Sequence, residues 1–120
     1  GGMADNIRPS LYDARYSAGI ANRTPDDDVR EVAIVGKYCE SGDILIERIA
    51  MPAIAVGDVL ALPASGAYCL PMASNYNGSL RPAVVMVAED GVTVMRERET
   101  VADLMRHDPA LREALALDPA

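Results

Sequence analysis

The chain has 120 residues, half of them apolar, with 18 acidic against 11 basic side chains and a formal charge of −7. That balance suits one globular domain burying roughly 65% of its unfolded surface, and argues against a nucleic-acid backbone or an anionic membrane as partner. No apolar run approaches the ~18 residues of a membrane span, no signal-peptide pattern opens the chain, and one His with two separated Cys argues against a structural metal, so a soluble cytoplasmic protein with free thiols is expected.

Residues 1–10 are polar and punctuated by Gly and Pro, and Arg8-Pro9 predicts extended or turn backbone. Over residues 11–23, Tyr12, Tyr16, Ala18 and Ile20 share one parity, which predicts a strand. Thr24-Pro25-Asp26-Asp27-Asp28 reads as a solvated turn, and the β-branched run 29–35 as a strand that Gly36 breaks. Residues 44–46 and 59–62 are short apolar runs bounded by Gly42-Asp43, Met51-Pro52 and Gly57-Asp58, which favours strands. Residues 64–77 show turn residues and no clean period. Residues 83–88 and 92–96 flank Glu89-Asp90-Gly91 and predict a hairpin. Thr100 with Asp103 resembles a capping box ahead of an apolar stripe at Val101, Leu104 and Met105. Asp108-Pro109 restarts a second helix with Leu111, Ala114 and Leu115 on one face. With no Phe or Trp, the interior falls to Ile, Val, Leu, Met and Ala. The sum is a mostly β, antiparallel Greek-key-like barrel over residues 1–106, followed by a helical or frayed tail at 107–120.

Three loops carry residues suited to chemistry. Asn6-Ile7-Arg8-Pro9-Ser10-Leu11-Tyr12 pairs a permanent planar cation with a phenol, a natural clamp for a carboxylate; without function, it is a surface Arg beside a half-buried Tyr. Gly36-Lys37-Tyr38-Cys39-Glu40-Ser41-Gly42-Asp43 places a thiol beside a carboxylate. An anionic neighbour disfavours the thiolate, so Cys39 reads as a proton donor before a nucleophile, or else as a buried inert Cys. Met72-Ala73-Ser74-Asn75-Tyr76-Asn77-Gly78 offers a phenol and amides to an anion such as phosphate, or is an ordinary Asn/Gly turn. Cys69, in Tyr68-Cys69-Leu70, reads as packing, and His107 as a solvated capping residue.

In this order the loops resemble the C-terminal domain of the diaminopimelate decarboxylases, pyridoxal-phosphate enzymes of lysine biosynthesis. The carriers are GGMADNIRPSLYDARY at 1–16, CESGD at 39–43, GDVLALPASGAY at 57–68, MASNYN at 72–77, RPAVVMV at 81–87 and RERET at 96–100. The chain departs from the usual pattern at Lys37-Tyr38, where Gly-Pro is common, and at Cys69-Leu70-Pro71, where a Gly-Phe-Ser-like stretch is common.

The resemblance implies a parent with an eight-stranded α/β (TIM) barrel that holds pyridoxal 5'-phosphate, absent here, followed by this β domain. It further implies a homodimer whose active sites are shared between subunits. Carried over by motif, Arg8 and Tyr12 hold the distal carboxylate of meso-diaminopimelate, Glu40 accepts its distal ammonium, and Tyr76 meets cofactor and substrate. Cys39 is then the catalytic proton donor, acting across the dimer. Loss of CO2 leaves a carbanion that needs an electron sink and then a neutral acid, a role a protonated thiol suits. Related decarboxylases of basic amino acids commonly have Asp after this Cys, so Glu40 with Arg8 and Tyr12 favours diaminopimelate over carboxynorspermidine, arginine or ornithine. A non-catalytic β-barrel binding module is the reading of another class, and intact Arg8, Cys39, Glu40 and Tyr76 count against it. The chain alone is expected to be inactive. Its single lysine, Lys37, is not expected to hold the cofactor, and a strand supplied by the parent's N-terminus is expected to cover an otherwise open sheet edge.

Overall fold

Strands form where the β-branched runs predict them, but the segment ahead of them folds differently. In the computed structural model, which describes residues 1–114, the elements run α1 (Arg8–Tyr12), β1 (Gly19–Ile20), β2 (Val29–Val35), β3 (Ile44–Pro52), β4 (Leu60–Ala61) and α2 (Cys69–Met72). After a 3-10 turn at Tyr76–Gly78 come β5 (Val84–Ala88), β6 (Gly91–Arg96), α3 (Val101–Met105) and α4 (Pro109–Ala114). The chain divides into two compact units, Gly1–Ala73 and a second that begins at Ser74.

In the first unit β2 and β3 pair antiparallel from Val29 opposite Pro52 to Val35 opposite Ile44, with the register shifting on both sides of Ile34. β3 runs through Met51-Pro52, which the sequence marks as a boundary. Pro52 sits at the end of the ladder, where the missing N–H interrupts little. Ile34, Ile46 and Met51 form the buried centre, with Tyr16, Ile20, Val32 and Leu60 packed around it. Met51, 1% exposed, is the large side chain fully buried there, in a chain with no Phe or Trp.

The strand predicted over residues 11–23 is reduced to Gly19–Ile20, which pairs with β4. Its first part is the helix α1. Pro9 is tolerated in the first turn, where a backbone N–H would have no intrahelical partner and its absence costs nothing. The turn closes through Leu11 N–H to the Ile7 carbonyl at 3.1 Å and Asp13 N–H to the Pro9 carbonyl at 3.1 Å. Asp13, at φ 54°, ends it in the left-handed conformation that Asp tolerates better than most residues.

In the second unit, β5 and β6 form the predicted hairpin around Glu89-Asp90, with Ala88 opposite Gly91. α3 starts at the predicted capping box: the Thr100 amide and hydroxyl donate to Asp103 Oδ2 at 2.7 and 2.8 Å. The Leu111 amide donates to Asp108 Oδ1 at 3.0 Å at the start of α4. The predicted Leu115 and the rest of the tail to residue 120 lie outside the described residues.

The ladders among the described residues pair strands two by two, as β1–β4, β2–β3 and β5–β6. The architecture is thus mostly sheet with short helices. No helix among the described residues is long and apolar enough to cross a membrane.

A clasp holds the segment after β1 to the loop between β3 and β4. Arg23 donates from Nε and Nη2 to the Asp58 carboxylate at 2.7 and 2.8 Å, and from Nη2 to the Ala53 carbonyl at 2.8 Å. The Arg23 hydrogen bond, then the Ala55 amide, draws the Asp58 pKa down from 3.8 to about 2. A depressed folded-state pKa contributes stability above the unfolded value near ~3.9 and loses it as pH falls. Stability measured by urea denaturation is therefore expected to drop as pH falls from about 4 through about 2. Asp58→Asn should lower stability at neutral pH and flatten the drop; an unchanged slope would remove the clasp from the acid response.

Candidate functional site

The loop between β2 and β3 is closed from within. Gly36 N–H donates to the Asp43 carbonyl at 2.8 Å, and Asp43 N–H to the Glu40 carbonyl at 3.1 Å. The Asp43 side chain turns inward, so that the residue is 3% exposed. Its Oδ1 accepts the Met3 amide at 2.6 Å and its Oδ2 the Tyr38 amide at 2.9 Å. Glycine is required around it. A Cβ on Gly36 would overlap the carboxylate, and one on Gly2 would lie 2.8 Å from Oδ2. Cys39 and Glu40 are carried at the exposed rim of this loop, Cys39 as a thiol outside any disulfide. Glu40 Oε1 accepts the Gly42 amide at 3.4 Å.

The Met3 contact links the loop to the segment that carries α1. Arg8 and Tyr12 stand four residues apart in α1 and therefore share a face. Tyr12 is 63% exposed, whereas Arg8 is half-buried. Arg8 Nη1 donates to Tyr16 Oη at 3.2 Å, and its guanidinium carbon lies 5.6 Å from the centroid of the Tyr68 ring. α1 adjoins the loop, since a Cβ on Gly42 would lie 3.6 Å from Ser10 Oγ. A groove lined by Pro9, Ser10, Asp13, Gly42, Ile44 and Glu47 runs between them. The first unit thus brings the helix with Arg8 and Tyr12 beside the loop with Cys39 and Glu40.

Tyr76 belongs to the second unit. Its turn is shaped by Asn77 at φ 58° and Gly78 at φ 70° and presents a ring that is about two-fifths exposed. Asn75 Nδ2 donates to the Ser79 carbonyl at 3.0 Å and to the Glu99 carboxylate. Glu99 also accepts the Arg81 amide at 2.8 Å and pairs with the Arg81 and Arg96 guanidinium groups at 3.1 and 3.4 Å. The Arg81 amide, then Asn75 and the two arginines, hold its carboxyl below the ordinary range despite partial burial. The Arg96–Thr100 segment is therefore a brace for the Tyr76 turn.

Two features are not legible as functional in the sequence. Asp43 stands in the loop motif without a role of its own, although glycines at positions 36 and 42 signal a close approach. Cys69 reads as packing, yet its thiol donates to Asn6 Oδ1 at 3.1 Å and its sulfur lies 3.7 Å from Tyr16 Oη. No local signal pairs residues 63 positions apart. Among the described residues no group of three or more His, Cys, Asp or Glu is arranged to hold a metal ion.

Residues 1–66 match the family described as "Pyridoxal-dependent decarboxylase, C-terminal sheet domain". Among curated relatives, the diaminopimelate decarboxylase of Bacillus subtilis is 48% identical over 108 residues, which is 90% of this chain and 25% of that protein. That of a Synechocystis species is 46% identical over 108 residues, 90% of this chain and 23% of that protein. A crystal structure of diaminopimelate decarboxylase from M. jannaschii in complex with L-lysine matches with a TM-score of 0.83 at 39% identity, over 90% of this chain and 24% of that one. The Helicobacter pylori enzyme complexed with L-lysine matches with a TM-score of 0.82 at 34% identity, over 92% and 27%. The chain spans about a quarter of the length of the curated relatives it matches.

Asp43→Asn replaces an acceptor-only group by one that must turn an NH2 toward an amide donor. The substitution is expected to cost about 2 kcal/mol of folding stability, on the scale of a buried donor left unpaired. The exposed Glu47→Gln should change it by less than about 0.5 kcal/mol. Urea midpoints and faster hydrogen exchange at the Tyr38 and Met3 amides check this; equal midpoints for the two variants would contradict it.

Proposed function

Because the chain belongs to the pyridoxal-dependent decarboxylases, by their C-terminal sheet domain, we propose that it is the C-terminal domain of a diaminopimelate decarboxylase. The longer enzyme converts meso-2,6-diaminopimelate to L-lysine and CO2 in the cytoplasm, as a step of lysine biosynthesis. The observation that carries this reading is the tie through Asp43, which sets the Arg8–Tyr12 helix beside the Cys39–Glu40 loop.

Each residue then has a task suited to its chemistry. The substrate ends in a second amino-acid group. Arg8 and Tyr12 grip its carboxylate with a planar cation and a phenol, and Glu40 accepts its ammonium. Cys39, exposed on the rim of the loop, delivers a proton to the carbon that has lost CO2. Tyr76 meets substrate and cofactor from its braced turn. L-Lysine, named in the crystal structures of two relatives, keeps the same distal carboxylate and amino group, which supports assigning the clamp to that end.

Pyridoxal phosphate, when bound, supplies the electron sink for decarboxylation. Its fit to this chain is partial. The one lysine, Lys37, is exposed and rests its ammonium 5.4 Å from the centroid of the Tyr38 ring, which does not suit a lysine holding the cofactor in an enclosed site. The cofactor is therefore assigned to a TIM barrel elsewhere in the parent, with Tyr76 as this chain's contact. In that parent the domain is a Greek-key-like β-barrel. The parent works as a homodimer, with Cys39 serving the partner's cofactor.

Arginine, ornithine or carboxynorspermidine as substrate is less well supported, since the first two have no distal carboxylate for the Arg8–Tyr12 pair. Cys39→Ala in the full-length enzyme is expected to lower kcat by about 10²- to 10⁴-fold, the usual worth of a general acid. The absorbance of the bound cofactor should not change. Unchanged turnover would remove Cys39 from the mechanism. The isolated chain supplied with pyridoxal phosphate and diaminopimelate should form no lysine, and lysine formation would overturn the division of labour.

A further inference from the structure

Arg8 is the half-buried cation of the clamp, and among the described residues no carboxylate forms a salt bridge with it. Its orientation is set instead by neutral groups. Arg8 Nη1 donates to Tyr16 Oη at 3.2 Å, Tyr16 Oη lies 3.7 Å from Cys69 Sγ, and Cys69 Sγ donates to Asn6 Oδ1 at 3.1 Å. Asn6 Oδ1 also accepts the backbone amide of Arg8 at 3.3 Å, so the circuit returns to the residue where it began.

Chemistry assigns every proton in this circuit. A guanidinium only donates, so the Tyr16 oxygen accepts from Arg8 and its own hydrogen is directed to the Cys69 sulfur. An amide oxygen only accepts, so the Cys69 thiol hydrogen goes to Asn6. Asn6 cannot be turned over, because its NH2 would then meet the Arg8 N–H, donor against donor. That orientation has a cost. Asn6 is 8% exposed, and its Nδ2 is a buried side-chain polar atom with no hydrogen-bond partner among the described residues. A buried unpaired donor is destabilising, and such exceptions call for an explanation. Here the explanation is that Asn6 Oδ1 is committed to both ends of the circuit. The face of Tyr68 supports the same guanidinium.

We propose that Tyr16, Cys69 and Asn6 are positioning residues that hold the Arg8 guanidinium for the substrate's distal carboxylate; this rests on the diaminopimelate reading above. Only one of the five guanidinium N–H groups is spent on Tyr16, which leaves a donor edge for a bidentate carboxylate. The circuit takes the place that a carboxylate partner would otherwise occupy. An anionic partner would neutralise Arg8, whereas a phenol and a thiol orient it and leave its charge for the ligand.

The test uses the full-length decarboxylase and two competitive inhibitors, L-lysine, which has the distal carboxylate, and cadaverine, which lacks it. Tyr16→Phe is expected to raise the L-lysine inhibition constant and the KM for diaminopimelate by about tenfold, the loss of one hydrogen bond to a charged group. kcat should stay within about twofold, and the cadaverine constant should not move. Cys69→Ala should weaken L-lysine by about threefold, and Cys69→Ser, which keeps a donor and an acceptor, should restore it. Equal losses for both inhibitors, or none for L-lysine, would overturn the proposal while leaving the decarboxylase reading intact. An unsubstituted enzyme that does not turn over diaminopimelate would defeat both.

Discussion

The first unit depends on one buried carboxylate. Asp43 takes the amide of Met3 on one oxygen and that of Tyr38 on the other, joining segments 35 positions apart. Hydrogen bonds to a charged acceptor contribute about 1.5–3 kcal/mol each, so their removal is felt in a small domain with marginal stability. The geometry also explains the glycines at 36 and 2, since any side chain at either position would meet the carboxylate. Met3 leads into α1, and Tyr38 leads into Cys39 and Glu40. A single anion therefore sets how the helix with the cation and phenol lies against the loop with the thiol.

The two halves of this arrangement are held by different means. The Cys39 loop is fastened by the inward-turned Asp43 carboxylate and by backbone hydrogen bonds, which leaves Cys39 exposed at the rim. Arg8 is fastened through its side chain, by a phenol, a buried thiol and an amide. The difference suits the proposed tasks. A proton donor must approach a reacting carbon on another part of the enzyme and benefits from exposure. A carboxylate clamp must discriminate, and discrimination needs a preorganised donor geometry.

Local patterning reveals what depends on neighbouring residues and little of what depends on distance. The β2 strand, the hairpin around Asp90 and the Thr100–Asp103 box are all written in a few consecutive residues, and they form as read. The helix α1 is misread because the parity of Tyr12, Tyr16, Ala18 and Ile20 outweighs the short-range bonds that close one turn around Pro9. The reach of β3 is underestimated because a Pro at a ladder's end interrupts less than one in its middle. The proposed site residues Arg8, Tyr12, Cys39, Glu40 and Tyr76 are visible through motifs that resemble a known family. Asp43, Tyr16 and Cys69 acquire their roles only from partners that folding brings near.

The central claim is that this domain serves an enzyme selective for a substrate with a carboxylate at its far end. The most direct measurement is CO2 release by the full-length enzyme from meso-diaminopimelate, set against ornithine, arginine and carboxynorspermidine under identical conditions. Diaminopimelate is predicted to be decarboxylated to L-lysine, with kcat/KM at least about 10³-fold above ornithine and arginine, which leave the clamp unpaired. Efficient CO2 release from ornithine or arginine with none from diaminopimelate would contradict the account.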